Sequence, residues 1–317
     1  MTARLAWLEL RQQVSGRVFW IVFAVSVLMV IGGMAIDELR VGLADGGARI
    51  GAAAIAMTHL VWSLFFLFTA AAFVGEAALR DQISGFAGLV RATPVSRCSY
   101  ALARFLGASG AVLLCFFSVP MAMMAGGAAL GLGTGLMGNH LFAFAVLALP
   151  NLILASSLFF TLAGVTRSMT GCLLGAAGLL TLYGLAGESG SAGLGIVEPF
   201  GFAALSGATQ GWSLAQRDAG LPWLTGELLA NRALWLSVAA VLVWLGTWLA
   251  AQDGQRSNRR GAGATSPRNP ARSFTGMRSA PASSEPPRNC ELSRPSSRCG
   301  PASRHAGSSQ PRLSLRC

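Results

Sequence analysis

Six long apolar stretches constrain this chain more than any other feature of its sequence. Each has about 20 residues or more, the length that an α-helix needs to cross the hydrocarbon core of a bilayer. Hydrophobic residues make up 53% of the chain and charged residues only 12%, about half the charged share of a soluble domain. The sequence therefore predicts an all-α integral membrane protein with six transmembrane helices, at residues 18–36, 51–75, 103–126, 141–165, 168–187 and 233–251.

Two local features predict the shape of the fourth and fifth stretches. Only Thr166 and Arg167 separate them, so a tight helical hairpin is expected. Pro150 lies inside the fourth stretch. Because proline has no N–H group and its ring clashes with the preceding turn, we expect a kink or a local break there.

The distribution of arginine predicts the orientation. Cytoplasmic connections of membrane proteins are enriched in basic residues. Residues 1–17 contain three Arg, and the connection after the second stretch contains Arg80, Arg91 and Arg97, whereas residues 127–140 contain none. Both termini are therefore predicted to be cytoplasmic. The connections predicted to lie outside are residues 37–50, 127–140 and 188–232.

The first 17 residues are predicted to form an interfacial amphipathic helix. An apolar face flanked by arginine suits a helix that lies in the plane of the lipid headgroups. The alternative is an ordinary cytoplasmic extension of the first spanning helix. The residues that share the predicted apolar face are Ala3, Trp7, Leu10 and Val14.

The chain contains no lysine, and all 24 of its basic residues are arginine. A standard P-loop needs a lysine that reaches the phosphates of the nucleotide. This chain is therefore not expected to hold ATP through such a loop, and any nucleotide-driven work must be done by a partner.

No catalytic constellation, cofactor or metal site is predicted. The three histidines, His59, His140 and His305, form no ligand motif, and we expect His59 to make an ordinary hydrogen bond within its helix bundle. Acidic residues fall at the ends of the apolar stretches or between them, so coupling to an ion gradient is not predicted.

Residues 254–317 differ in kind from the spanning region, residues 18–253. They contain 12 of the 24 arginines but only two acids, and Phe274 is their only aromatic residue. Such a composition cannot bury enough apolar surface to fold alone. It permits contact with anionic lipid or RNA, but we favour a tail produced by a frameshift in a GC-rich gene, and we predict no nucleic-acid partner.

The connection after the second stretch, residues 80–97, reads RDQISGFAGLVRATPVSR. Leu79, Ile83, Phe86 and Val90 recur at the spacing of one helical face. The sequence therefore predicts a short amphipathic helix on the cytoplasmic side, which could transmit motion from a soluble partner. The alternative is a surface-lying connector without a partner.

A second helix is predicted to start at the end of this connection. Thr93 and Pro94 read as the N-cap and the first helical residue, and the helix continues through Arg97 into the third span. Gly85 and Gly88 weaken the preceding helix and are expected to allow the close approach of another backbone.

This region resembles the cytoplasmic loop of type-2 ABC exporter permeases. The six-span plan, the cytoplasmic termini and the amphipathic N-terminal helix are similar to those of the same family. The resemblance implies a permease dimer in the bacterial inner membrane, with a separate ATP-binding cassette subunit docked on residues 80–97. The predicted docking residues are Arg80, Asp81, Ile83, Gly85, Phe86, Leu89, Val90, Thr93, Pro94 and Arg97.

Residues 198–236 carry a second, narrower resemblance. They are similar to the external loop of larger permeases that carry a second membrane half and a zinc-aminopeptidase domain, neither of which this chain has. The chain departs from that pattern where the arginine-rich tail begins, which fits truncation by frameshift. Phe200, Phe202 and Trp212 would then pack as a lid over the dimer or anchor in the outer leaflet.

A different class of function remains open at this stage. The same loop could serve a non-transport membrane scaffold or assembly protein with another soluble partner.

Overall fold

A computed structural model describes residues 1–36, 48–85, 95–188, 196–222 and 225–264, with side chains described for all of these except residues 186–188 and 253–264. All regular elements of these residues are helical. They are α1 (Thr2–Val14), α2 (Arg17–Ala35), α3 (Ala52–Ile83), α4 (Arg97–Phe116), α5 (Ser118–Ala129), α6 (Met137–Phe142), a π-helical segment (Ala143–Ala148), α7 (Leu149–Thr166), α8 (Met169–Glu188), α9 (Phe202–Ala208), α10 (Leu214–Ala219) and α11 (Gly226–Ala264).

Five helices of the described residues are long and apolar enough to cross a membrane. The described part of the chain is therefore all-helical, as in a membrane-embedded multi-pass protein. The predicted fifth span forms α8, but its apolar part, Met169–Leu185, is shorter than the other five. The five long helices are Arg17–Ala35, Ala52–Ile83, Arg97–Ala129, Met137–Thr166 and Gly226–Gln252.

Helix α3 is longer than the sequence predicted. It continues without a break to Ile83, so Leu79 and Ile83 belong to the second apolar helix and do not begin a separate one. Leu79 is buried and Ile83 is 75% exposed, so these two residues do not share a buried face. Phe86, Leu89 and Val90, the rest of the predicted amphipathic helix, lie outside the described residues.

Gly85 ends α3. Its φ of +74° is a left-handed conformation, which glycine adopts without steric cost just beyond the end of a helix. Among the described residues of this chain, a Cβ atom at this position would meet nothing within 4 Å. The glycine therefore ends the helix, and the close approach of another backbone stays a prediction about residues or partners outside the described part.

Helix α4 begins later than predicted. Ser96 is its N-cap, and the Ser96 hydroxyl accepts a hydrogen bond from the backbone N–H of Ser99 at 3.3 Å. The first helical residue is Arg97 and not Pro94, because Ser96 itself has an extended backbone. Thr93 and Pro94 lie outside the described residues.

Two prolines interrupt the long helices. Pro150 follows a π-helical segment, Ala143–Ala148, which confirms the predicted local break, since the missing N–H and the ring both disturb the preceding turn. Pro120 has a similar effect that the sequence analysis did not predict: the third apolar helix breaks at Phe117, between α4 and α5.

The three connections predicted to lie outside come together at one end of the bundle. At this end, Asp218 accepts a hydrogen bond from the N–H of Ala48 at 2.9 Å, and a Cβ atom at Gly135 would lie 2.9 Å from Ile50. The described parts of these three connections therefore contact one another.

The predicted hairpin between α7 and α8 is confirmed, because α7 ends at Thr166 and α8 begins at Met169.

Candidate coupling site

The structure describes half of the predicted docking residues. They lie where α1, the end of α3 and the start of α4 meet. The described residues are Arg80, Asp81, Ile83, Gly85 and Arg97, and those outside the described part are Phe86, Leu89, Val90, Thr93 and Pro94.

A buried carboxylate on α1 binds two arginines from other helices. The Glu9 side chain is only 7% exposed. Its Oε1 atom lies 3.0 Å from Arg80 Nη1, and its Oε2 atom lies 3.6 Å from Arg104 Nε. Charge-assisted contacts of this kind are stronger than neutral hydrogen bonds. Glu9 therefore joins α1 to both α3 and α4.

Asp81 joins α3 directly to α4. One oxygen of its carboxylate, Oδ2, lies 2.7 Å from Arg104 Nη1 and accepts a hydrogen bond from the Tyr100 hydroxyl at 2.9 Å. The Arg104 guanidinium also lies 5.3 Å from the centroid of the Tyr100 ring, within the range of a cation–π contact. Glu9, Arg80, Asp81, Tyr100 and Arg104 are named the ion cluster below.

Helix α1 is packed against the bundle through a partly polar face. The amide of Gln13 donates a hydrogen bond to the Phe73 carbonyl at 3.1 Å, and the Gln12 amide oxygen accepts one from Arg80 at 2.8 Å. A Cβ atom at Gly107 would lie 2.6 Å from both the Ala6 carbonyl oxygen and Glu9 Cβ. This glycine therefore permits the close approach of α1 to α4.

The predicted apolar face of α1 is divided in the structure. Leu10 and Val14 pack against the core, but Trp7 and Ala3 are exposed. The helix is thus attached to the bundle by the side that carries Glu9, which the apolar spacing of this segment does not predict. Glu9 is an acid in an otherwise basic segment, which is a sign of an ion pair. The neighbouring residues do not show that Arg80 and Arg104 are its partners.

The ion cluster can transmit displacement but has no evident catalytic chemistry. Arg80 and Asp81 are adjacent on the last turns of α3 and bind different neighbours, α1 and α4. Ile83, at the end of the same helix, is exposed. A force applied at this end of α3 would therefore act on α1 and α4 together.

A second polar cluster lies at the opposite end of the bundle. Arg232 is buried and donates hydrogen bonds to Asn151 Oδ1 at 2.7 Å and to the Phe200 carbonyl at 2.6 Å. Asn151 in turn donates to the Ser63 hydroxyl at 2.8 Å. Arg232 was counted among the charges of the connection predicted to lie outside, and its burial was not expected. Its side chain holds residues 196–222, named the outer segment below after their predicted side, onto α7.

Glu198 makes hydrogen bonds within the same segment. It accepts hydrogen bonds from the N–H groups of Phe200 at 2.7 Å and Ala203 at 3.3 Å. Burial raises the pKa of the Glu198 carboxyl, while these N–H groups and Arg232 oppose the rise. Gly201, with φ +85°, sits against the Arg232 guanidinium where a Cβ atom would overlap it, so only glycine fits there.

Two of the aromatic residues predicted to form a lid, Phe200 and Phe202, pack against a ring of their own chain. Phe200 is buried against the Tyr183 ring, with centroids 5.6 Å apart, and Phe202 lies 5.3 Å from the same ring. Trp212 is partly buried. The first two aromatic residues therefore anchor the outer segment on α8.

An apolar cavity of about 580 Å³ lies between α2 and α3. Val25, Trp62 and Phe65 are among its walls, and Arg49 and Thr58 are among its few polar residues. The Arg49 guanidinium donates a hydrogen bond to the Met34 carbonyl at 2.9 Å. The cavity is thus mainly apolar with a basic group among its lining.

Comparison with known proteins adds no assignment to this geometry. A scan against protein-family models and a search of curated proteins found no match for this chain.

Proposed function

We propose that this chain is the membrane-spanning permease subunit of an ATP-driven exporter, similar to type-2 ABC permeases, with ATP hydrolysed by a separate subunit. The observation that carries the proposal is the ion cluster at the end of α3, because it connects the predicted docking segment to two other helices. The absence of lysine from the sequence supports a separate ATP-binding subunit, and the five long apolar helices support a membrane location.

The proposed mechanism starts at residues 80–97. An ATP-binding cassette subunit docks there and, on closing around ATP, pushes against the end of α3 near Ile83. Arg80 and Asp81 pass this displacement to α1 and α4. In this proposal α8 completes six spans, both termini face the bacterial cytoplasm, and two permease subunits form the export path between them.

The experiment tests docking with a glycine substitution and a matched control. We expect Gly85→Arg to reduce the stimulation of the partner ATPase in proteoliposomes by about thirtyfold, as loss of an interface contact of about 2 kcal/mol would do. Pro94→Ala should also reduce it. Gly211→Arg is the control: Gly211 also has a positive φ, +83°, and open space around it, but it lies in the predicted outer segment.

Three results would count against the proposal. They are normal stimulation by Gly85→Arg, an equal loss in Gly211→Arg, and failure of the wild-type chain to co-purify with any P-loop ATPase when the genes neighbouring its own are co-expressed. Recovery of a soluble partner without ATPase activity would instead support the scaffold function.

A further inference from the structure

Two buried histidines meet inside the bundle. His59 lies on α3 and His140 on α6, and their side chains are 0% and 3% exposed. The centroids of the two imidazole rings are 5.9 Å apart, with 57° between the ring planes. This pair could not be predicted from the sequence, because the two residues come from different apolar stretches.

The hydrogen bonds of each ring fix which nitrogen carries the proton. His59 Nδ1 lies 2.8 Å from the Ile55 carbonyl oxygen, and His140 Nε2 lies 3.0 Å from the Thr134 carbonyl oxygen. A carbonyl oxygen only accepts hydrogen bonds, so in the neutral rings the protons are on His59 Nδ1 and His140 Nε2. His59 Nε2 and His140 Nδ1 are therefore bare lone pairs.

Neither bare nitrogen has a hydrogen-bond partner among the described residues. Buried polar atoms without a partner are rare and usually indicate a missing ligand, water or ion. Two such acceptors cannot satisfy each other, because neither carries a proton. A single group that satisfies both nitrogens must be an electron-pair acceptor or a donor of hydrogen bonds.

The separation of the rings fits one shared metal ion. A nitrogen lies about 1.1 Å from the centroid of its own imidazole ring, and metal–nitrogen bonds are about 2.0 Å long. Two rings on one ion are therefore at most about 6.2 Å apart between centroids, and the observed 5.9 Å lies just within this limit. A backbone carbonyl on the far nitrogen is also the usual support of a metal-binding histidine.

The surroundings favour an ion of low charge and low coordination number. Within the described part of the chain, no third His, Cys, Asp or Glu joins the pair to make a larger ligand group. The Phe116 ring lies 6.0 Å from the His59 ring, and Phe116 and Ile55 are fully buried. A divalent ion would place two positive charges in these apolar surroundings without a counter-charge, at high cost.

We propose that His59 and His140 form a two-coordinate binding site for a soft monovalent cation, namely Cu(I), for which Ag(I) is a redox-inert substitute. His59 Nε2 and His140 Nδ1 are the two ligand atoms, and the Ile55 and Thr134 carbonyls orient the rings. This inference does not depend on the proposed transport function.

The test uses the full-length chain in lipid nanodiscs. Cysteines also bind soft metals, so accessible thiols are first blocked with N-ethylmaleimide. We expect the protein to retain one Cu(I) per chain against a Cu(I) chelator, and X-ray absorption to show two nitrogen ligands of imidazole type. His59→Asn and His140→Asn should each weaken retention at least tenfold, whereas His305→Asn, which changes the remaining histidine of the sequence, should not.

A second measurement does not depend on variants that could misfold. In wild-type protein labelled with ¹⁵N at histidine, Ag(I) should shift the resonances of two unprotonated ring nitrogens. Unchanged resonances would show that the pair holds a bridging water only and would overturn the proposal. The proposal would also be overturned if X-ray absorption showed sulfur atoms as the ligands of Cu(I), or if His59→Asn retained Cu(I) as well as the wild type does.

Discussion

The substitution Glu9→Gln tests whether the ion cluster fastens α1 to the bundle. Glutamine keeps the size of the side chain but removes the negative charge. In the wild type this charge faces Arg80 at 3.0 Å and Arg104 at 3.6 Å. The variant therefore leaves two arginines with fewer partners in a mostly buried place.

The expected cost follows from the burial of the three side chains. Breaking a fully buried ion pair costs about 3–5 kcal/mol, and an exposed pair contributes about 0–1 kcal/mol. Glu9 is 7% exposed, Arg104 11% and Arg80 19%. Arg104 keeps its contact with Asp81. We therefore expect the free energy of unfolding to fall by about 2 kcal/mol, between these two limits.

The assay is unfolding in mixed micelles with increasing SDS, followed by circular dichroism. Glu76→Gln is the matched control, because Glu76 also faces Arg80, at 3.5 Å, but is 64% exposed. Its loss should cost at most about 0.5 kcal/mol after screening by solvent. The reasoning is refuted if the two variants lose equal stability, or if Glu9→Gln loses less than about 0.5 kcal/mol.

Two further predictions concern other contacts of the same bundle. Gly107→Ala should loosen α1 and speed hydrogen exchange in residues 2–14, because its Cβ would press on the Ala6 carbonyl, whereas Gly110→Ala, whose Cβ would have an ordinary contact at 3.6 Å, should not. Glu198→Gln should flatten the pH dependence of stability. Because the folded-state pKa of Glu198 lies above its ordinary value of 4.5, its contribution is fully present below that value and is lost as the pH rises through the raised pKa. Denaturant titrations across this pH window measure the slope.

Each of these predictions has a clear contrary result. Equal exchange rates in the two glycine variants would mean that α1 does not lie close to α4 at Gly107. An unchanged pH slope in Glu198→Gln would mean that another group is responsible for the titration.

Much of the fold could be predicted from local sequence. An apolar stretch of the right length predicts that a helix exists, and at α2, which spans Arg17–Ala35 against a predicted 18–36, it also predicts the ends. Helix α3 continues eight residues beyond its predicted end, to Ile83, because polar residues can extend a helix beyond its apolar part. The break near Pro150 and the hairpin at Thr166 also depend only on neighbouring residues. The start of α4 was misplaced because Ser96 and Thr93 are both good N-caps, and sequence alone does not choose between them.

The polar clusters could not be predicted, because their members are distant in sequence. Glu9 and Arg80 meet only when α1 packs on α3, and Arg232 reaches Asn151 only across the bundle. The count of arginines assigned Arg232 to a connection but could not predict that its side chain is buried. Docking of a partner at Arg80 and Asp81 stays a prediction, and the ion pairs that these two residues make with α1 and α4 were not predicted.

The most direct test of the central claim is photo-crosslinking from Ile83. A photoreactive amino acid at this exposed position should crosslink to an ATP-binding cassette subunit co-expressed in the same membrane, and the yield should change when ATP is added. The same group at Leu214, exposed in the outer segment, should give no such product. Absence of the crosslink from Ile83, or an equal yield from Leu214, would contradict the account.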